Sequence, residues 1–192
     1  QFLVCGALSK EEYCAMPDRI SDALIKFALD EKLFIPESAI NIVSLSLFDW
    51  VTVGIAGRSE AVSEVVRRHV SDDRRGTGAG VFGSRYKVSP GSAALANGTI
   101  SHALDYDDTH FAHIGHLSAV VFPALLALAE ERNLTLECLK IAAAIGFELS
   151  CRSGIWLGRN HYQVGFHQTA TSGCLGTVLG GVRLLGLESG QA

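Results

Sequence analysis

Between Ile20 and Phe34 the apolar residues Ile20, Leu24, Phe27 and Ala28 return at intervals of three and four, one face of an amphipathic helix. Pro36 restarts the pattern at a first-turn position, where its missing N–H costs nothing. INIVSLSLFDWVTVGIAG follows, apolar nearly all the way round, so this second helix is expected to be buried on most sides, with Gly57 as its stop. Ser59 to Val70 reads as a shorter, charged helix. From Asp72 to Gly91 glycine breaks the periodicity, and the segment reads as a mobile surface loop in which VFG is at most a brief extended piece. Helical character returns at Ser92 and runs towards Leu104, stops over 105–118, and resumes from Ala119 to Arg132. It continues from Leu136 to Leu157 with Thr135 as N-cap, then in a last helix opened by His167. That helix carries small residues at Ala170, Gly173, Cys174, Thr177 and Gly181, which would let a neighbouring helix approach closely. The pattern predicts an all-α, multi-helix fold over 1–192, without internal repeats.

Composition narrows the class. Apolar residues make up 48% of the 192 and charged residues 19%; mean hydropathy is +0.26. That surplus predicts apolar surface reserved for a partner subunit or for more of the same chain. A net charge of −4 gives no electrostatic footprint for nucleic acid. The longest purely apolar run, Ala119 to Ala129, is too short for a bilayer and holds a proline, so no membrane partner is expected. Five scattered cysteines (Cys5, Cys14, Cys138, Cys151, Cys174) without a C-x-x-C pair read as buried free thiols in a reducing cytoplasm or organelle matrix such as the mitochondrial one. Residue 1 is Gln and no targeting pattern is visible, so the chain reads as processed, trimmed or a fragment. GTGAG follows an arginine pair without a βαβ frame, and a dinucleotide site is rejected on that ground.

The candidate chemistry is concentrated in HALDYDDTHFAHIGH, His102 to His116, which holds three aspartates and four of the seven histidines. LDYDDT fits the D-x-D-x-T pattern of haloacid-dehalogenase-type phosphatases, but that chemistry needs a preceding β-strand, and the residues before it suit a helix. A metal reading rests on His110, His113 and His116 with Asp105, Asp107 and Asp108 upstream; Gly115 and the lack of an apolar stripe argue for a loop instead of one ligating helix face. The third reading is metal-free proton transfer: an imidazole held by a carboxylate titrates near neutral pH and exchanges a proton with carbon or a leaving group. His167 in VGFHQTATSG is the second conspicuous histidine, at a helix N-terminus suited to a substrate carboxylate.

SAALANGTISHALDYDDTH, HLSAVVFPALLALAEE and GFHQTATSGCLGTVLGGVRLLGL resemble, in that order, successive blocks of the MmgE/PrpD family, and LFDWVTVGIAG resembles its first buried helix. The resemblance runs from about Ile20 to the last residue. It implies the N-terminal part of a large helical domain whose inserted lid is absent here. It also implies homodimers and a cofactor-free, metal-free active site acting on small di- and tricarboxylates by proton transfer beside a carboxylate. Known members are 2-methylcitrate dehydratase, cis-aconitate decarboxylase and iminodisuccinate epimerase, and the first activity is the leading expectation, with propionate metabolism as its setting.

Carried over by motif, His116 and His167 are the expected acid/base or carboxylate-binding groups, Asp105 the residue that orients an imidazole, and Thr109 a ligand for a substrate carboxylate. Asp108, Ser118 and Thr169 stand behind them as further substrate-binding candidates. Two departures bear on this. The family's H-P-S block reads HLS, with Leu117 in place of proline, and the catalytic lysine that follows the family's G-F-H helix has no counterpart before Ala192, where Arg183 is the only strong cation after His167. Two readings from other classes stand beside the enzyme: a helical interaction and dimerisation fragment, and a metal-dependent helical hydrolase. Smaller expectations pair Glu148 with Arg152, leave Arg85 and Lys87 as loop charges, let His110 and His113 bond within their loop, and assign Trp50 and Trp156 to the core.

Overall fold

The computed structural model describes residues 20–75, 77–188 and 191. Cys5 and Cys14 lie outside the described residues; Cys138, Cys151 and Cys174 are free thiols, Cys151 buried as expected and Cys138 and Cys174 exposed, against expectation. The fold is all-α. Its helices are α1 (Ile20–Leu29), α2 (Glu37–Gly57), α3 (Ala61–Val70), α4 (Pro90–Ser101), α5 (Ser118–Arg132), α6 (Leu136–Gln163) and α7 (Gln168–Leu185). Between α3 and α4 the two-residue strands β1 (Arg74–Arg75), β2 (Ala79–Gly80) and β3 (Lys87–Val88) form an antiparallel sheet in the order β1-β3-β2.

Helices α6 and α7 form an antiparallel hairpin at the centre, and glycine sets their separation. A Cβ at Gly176 would meet the Gly146 carbonyl oxygen and Ser150 Oγ, and one at Gly180 would come 2.9 Å from the Ala142 oxygen. The close-packed seam therefore runs through Gly176 and Gly180, with Gly173 packed against Val120 of α5, while Ala170 and Cys174, expected on it from spacing, face solvent. Thr135 caps α6 by accepting the Cys138 N–H at 3.2 Å. The helix loses its helical dihedrals at Gly158, one residue beyond the predicted end, and resumes to Gln163. Around the hairpin the main core joins Val43 and Trp50 of α2, Val121, Phe122 and Leu125 of α5, and Leu139, Ala143 and Phe147 of α6.

Three expectations are corrected. Helix α2 is long and apolar enough to cross a membrane by length and composition, yet only one face packs inward, through Val43, Trp50, Val53, Gly54 and Gly57. Ile42, Leu45 and Phe48 on the other side are 60%, 65% and 74% exposed. Periodicity measures how apolar a helix is, and it does not say how many sides find a neighbour. Trp156 is likewise exposed, whereas Trp50 is fully buried between the rings of Phe82 and Phe122. The glycine-rich segment is packed structure: Ala79, Val81 and Val88 are buried with Val66, Val70, Ala93 and Ile100 in a second core. Polar side chains hold its backbone in place. Asn97 accepts the Phe82 N–H and donates to the Gly80 oxygen, both at 2.9 Å, and Glu130 accepts the Gly80 N–H at 2.7 Å. Asp73 accepts the Ser89 N–H and both the Ser89 and Ser92 hydroxyls, which hold its carboxyl well below the usual range. Glu148, 5% exposed, pairs with Arg152 as the i, i+4 spacing predicts, with Nε to Oε1 at 2.6 Å.

Candidate active site

Helix α4 ends at Ser101, and the chain to Ser118 is a tight loop that doubles back on itself. His110 and Gly115 form an isolated antiparallel bridge, and the Ile114 N–H donates to the His110 oxygen at 2.8 Å. Two non-glycine residues stand in the left-handed region, Asp105 (φ 55°) and Ile114 (φ 55°). For a β-branched residue that conformation is strained, and it is kept only where the surroundings fix it. Here the surroundings are the buried His113 and the α6–α7 hairpin. A Cβ at Gly115 would strike Thr169 Oγ1 at 2.7 Å, so the loop lies directly against the first turn of α7.

This doubling-back brings His116 beside the residues that precede it. Asp107 has a fully buried side chain, with His102 Nδ1 2.9 Å from Oδ1 and His116 Nδ1 3.2 Å from Oδ2. His116 Nδ1–H donates to the Asp107 main-chain oxygen at 3.2 Å, and Oδ2 receives no well-aligned hydrogen bond. An N–H at Nδ1 leaves Nε2 as the free base of neutral His116. That Nε2 faces Asp105 Oδ1 at 3.4 Å, and His102 Nε2 lies 4.0 Å from the same oxygen. Two imidazoles whose rings are 4.7 Å apart thus stand between a buried carboxylate and an open one, Asp105 being 77% exposed. A proton on His116 Nε2 can be held by Asp105, whose carboxylate is open to solvent.

His167 arrives from the other segment as the N-cap residue of α7. Its ring lies 6.4 Å from that of His116, with the planes 19° apart, and 6.0 Å from that of Tyr162. Thr169, the second residue of α7, accepts the His116 N–H at 2.8 Å and ties the two segments together. Asp105, His116, His167 and Thr169 are therefore one neighbourhood. Thr109, in the same loop, is exposed and has no hydrogen bond to these groups among the described residues. Asp108 and Ser118 bond to each other: Asp108 accepts the Ser118 N–H at 2.9 Å and its hydroxyl at 2.6 Å, a side-chain cap for the N-terminus of α5. Asp49 of α2 sits close by, its carboxyl pushed up by burial and by the charges of Asp108 and Asp107.

The remaining loop histidines turn inward. His113 is fully buried, its Nδ1–H shared between the Ser150 oxygen and Ser172 Oγ, each at 3.1 Å, and burial pushes its pKa down to about 4. It is a neutral strut. His110 accepts the His113 N–H at 3.2 Å and contacts the Cys151 thiol at 3.5 Å; burial lowers the imidazole and raises the thiol to about 12. Sequence reasoning gave no role in the proton-transfer reading to His102, Asp107 or Tyr162. The spacing His102–Asp105–Asp107 was the available signal, since a helix C-cap followed by a turn throws such residues together. Nothing in the sequence says which of three nearby aspartates is buried. His102, Asp105, Asp107 and His116 also offer ligand atoms within 4.8 Å of one another, a donor set that suits zinc or iron. Hydrogen-bond distances account for their present arrangement.

A site built from an α4–α5 loop and an α7 N-terminus can be compared with known proteins. The profile of the MmgE/PrpD N-terminal domain matches residues 27–192, most of the chain. The chain belongs to the MmgE/PrpD family. A curated relative, the cis-aconitate decarboxylase-like protein oryM of Aspergillus oryzae, is 28% identical over 162 residues, which is 80% of this chain and 34% of the relative. This chain thus spans about a third of the length of the curated relative it matches. Within the MmgE/PrpD N-terminal domain, the two motif histidines and the acidic loop all fall inside the matched segment.

Proposed function

We propose that this chain supplies the imidazole–carboxylate half of a lyase-type active site that moves a proton beside a carboxylate of a small di- or tricarboxylate, without cofactor or metal. The observation that carries the reading is the pairing of His116 with His167 at 6.4 Å, drawn from segments far apart in sequence. Abstracting a proton next to a carboxylate needs a base near neutral pH and a second group to protonate the leaving group or steady the developing charge. His116, its Nδ1–H fixed by Asp107 and its Nε2 turned to Asp105, is the candidate base. His167, exposed at a helix N-terminus, is the candidate carboxylate ligand or acid.

The neighbouring carboxylates repel a polyanionic substrate, so the complete site requires further positive charge. A lysine supplied downstream of the segment spanned here meets that requirement. Elimination of water from 2-methylcitrate is the activity we put first, in keeping with the family's common chemistry; iminodisuccinate epimerisation stands beside it. Decarboxylation of cis-aconitate is the second reading, favoured by the name of the Aspergillus relative. The exposed stripe Ile42, Leu45 and Phe48 supports a homodimer, or covering by further chain, in the full protein.

Proton NMR of the full-length protein with 2-methylcitrate, cis-aconitate and iminodisuccinate in D₂O tests the reading. Elimination, loss of carbon dioxide or solvent exchange at the α-carbon each has a distinct spectrum. Inertness towards all three sinks the proposal in favour of the helical interaction module, and turnover that needs stoichiometric zinc, iron or magnesium replaces it with the metal-dependent hydrolase.

A further inference from the structure

On a net charge of −4, one cleft of about 380 Å³ between α3 and the small sheet is lined by four arginines, Arg67, Arg68, Arg74 and Arg85, with Glu64 and Tyr86. None of these residues belongs to the imidazole cluster. Glu64 is spent on Arg68 at 3.0 Å, and among the described residues no carboxylate pairs with Arg67, Arg74 or Arg85, which line the cleft. Of the two acids in the turn that precedes β1, Asp73 is turned to Ser89, Ser92 and Arg75, and Asp72 is exposed.

Two of the three guanidiniums are held in place. Arg67 Nη1 donates to the Arg58 oxygen at 2.7 Å, beneath the turn at Gly83, where φ is +76° and a Cβ would come within 3.3 Å of that nitrogen. Tyr86 Oη donates to the Arg67 oxygen at 2.9 Å, and its ring is covered by Arg74, whose guanidinium carbon lies 4.5 Å from the centroid. Arg85 is exposed and makes no such contact among the described residues. Like charges gathered in this way repel one another, and two of them are preorganised, which lowers the entropy lost when an anion docks.

We infer that this cleft is a binding site for a small, multiply charged oxyanion of the pyrophosphate or phosphate-ester kind, separate from the proposed active site. Guanidinium forks match the paired oxygens of such groups. Among the described residues that line the cleft the one aromatic ring, Tyr86, is already stacked on Arg74, so recognition rests on the anionic groups and not on a base or an apolar tail.

Calorimetry on the full-length protein at fixed ionic strength, with inorganic pyrophosphate and separately with citrate, tests this. Pyrophosphate is expected to bind one to one with a Kd below about 1 mM. Arg74→Ala and Arg85→Ala should each weaken it about tenfold or more, as expected for loss of a charge-assisted contact. Arg85 has no internal partner among the described residues, so its variant should keep the wild-type melting temperature and wild-type turnover. Citrate binding that falls with the same variants extends the site to carboxylates, and citrate binding insensitive to them confines it to phosphates. Pyrophosphate affinity unchanged in both variants overturns the inference, as does affinity lost in His167→Ala, which would put the anion among the imidazoles.

Discussion

Asp107→Asn isolates what the buried carboxylate contributes. The substitution keeps the shape of the side chain, and the main-chain oxygen of residue 107 still accepts the His116 Nδ1–H at 3.2 Å, so ring orientation and tautomer are retained. What disappears is a negative charge 3.2 Å from the ring that carries the proton in the proposed reaction. At that distance a unit pair is worth about 5 kcal/mol at an effective dielectric near 20 and about 1 kcal/mol in bulk water. The Asp107 side chain is fully buried and that of His116 is 13% exposed, which places the pair between those limits. A loss of about 2–3 kcal/mol corresponds to a fall in kcat of roughly 30- to 150-fold. The assay is steady-state turnover of the full-length protein on whichever polycarboxylate it accepts, with a thermal melt of the same preparation to separate chemistry from folding. Turnover within threefold of wild type in a folded Asp107→Asn protein would refute the claim that this carboxylate supports the imidazolium.

Further outcomes follow from the same geometry. His116→Ala and His167→Ala in the full-length protein should each lower kcat about a hundredfold or more with little change in melting temperature, and near wild-type turnover in both would remove the site assignment. His113 is held neutral with a pKa depressed from 6.5 to about 4, so the folded state binds fewer protons than the unfolded one between those values. Its contribution is present above pH 6.5 and is lost as pH falls towards 4, about 3 kcal/mol in all. Urea unfolding across that window should show the slope, and His113→Asn, which keeps a donor but cannot titrate, should flatten it. Gly176→Ala would drive a methyl group into the Gly146 carbonyl and Ser150 Oγ across the α6–α7 hairpin, costing about 1–3 kcal/mol in the same urea titration. Wild-type stability would mean that the helices are free to part.

The sequence by itself determined the order and approximate bounds of the helices, because apolar spacing, Thr135 as a cap and glycine as a stop act over a few residues. It also pointed to the acidic loop and the VGFHQTATSG turn as the candidate site, because those blocks in that order resemble the family to which the chain belongs. Tertiary structure decided what depends on neighbours. It left Ile42, Leu45 and Phe48 of α2 open although the helix is apolar all round, and it packed the glycine-rich segment through Asn97 and Glu130, which lie far along the chain. It also chose Asp107 over Asp105 as the buried partner of His116. Burial of one aspartate among three within four residues depends on how the loop folds back against Thr169 and the α6–α7 hairpin. No local pattern encodes that contact.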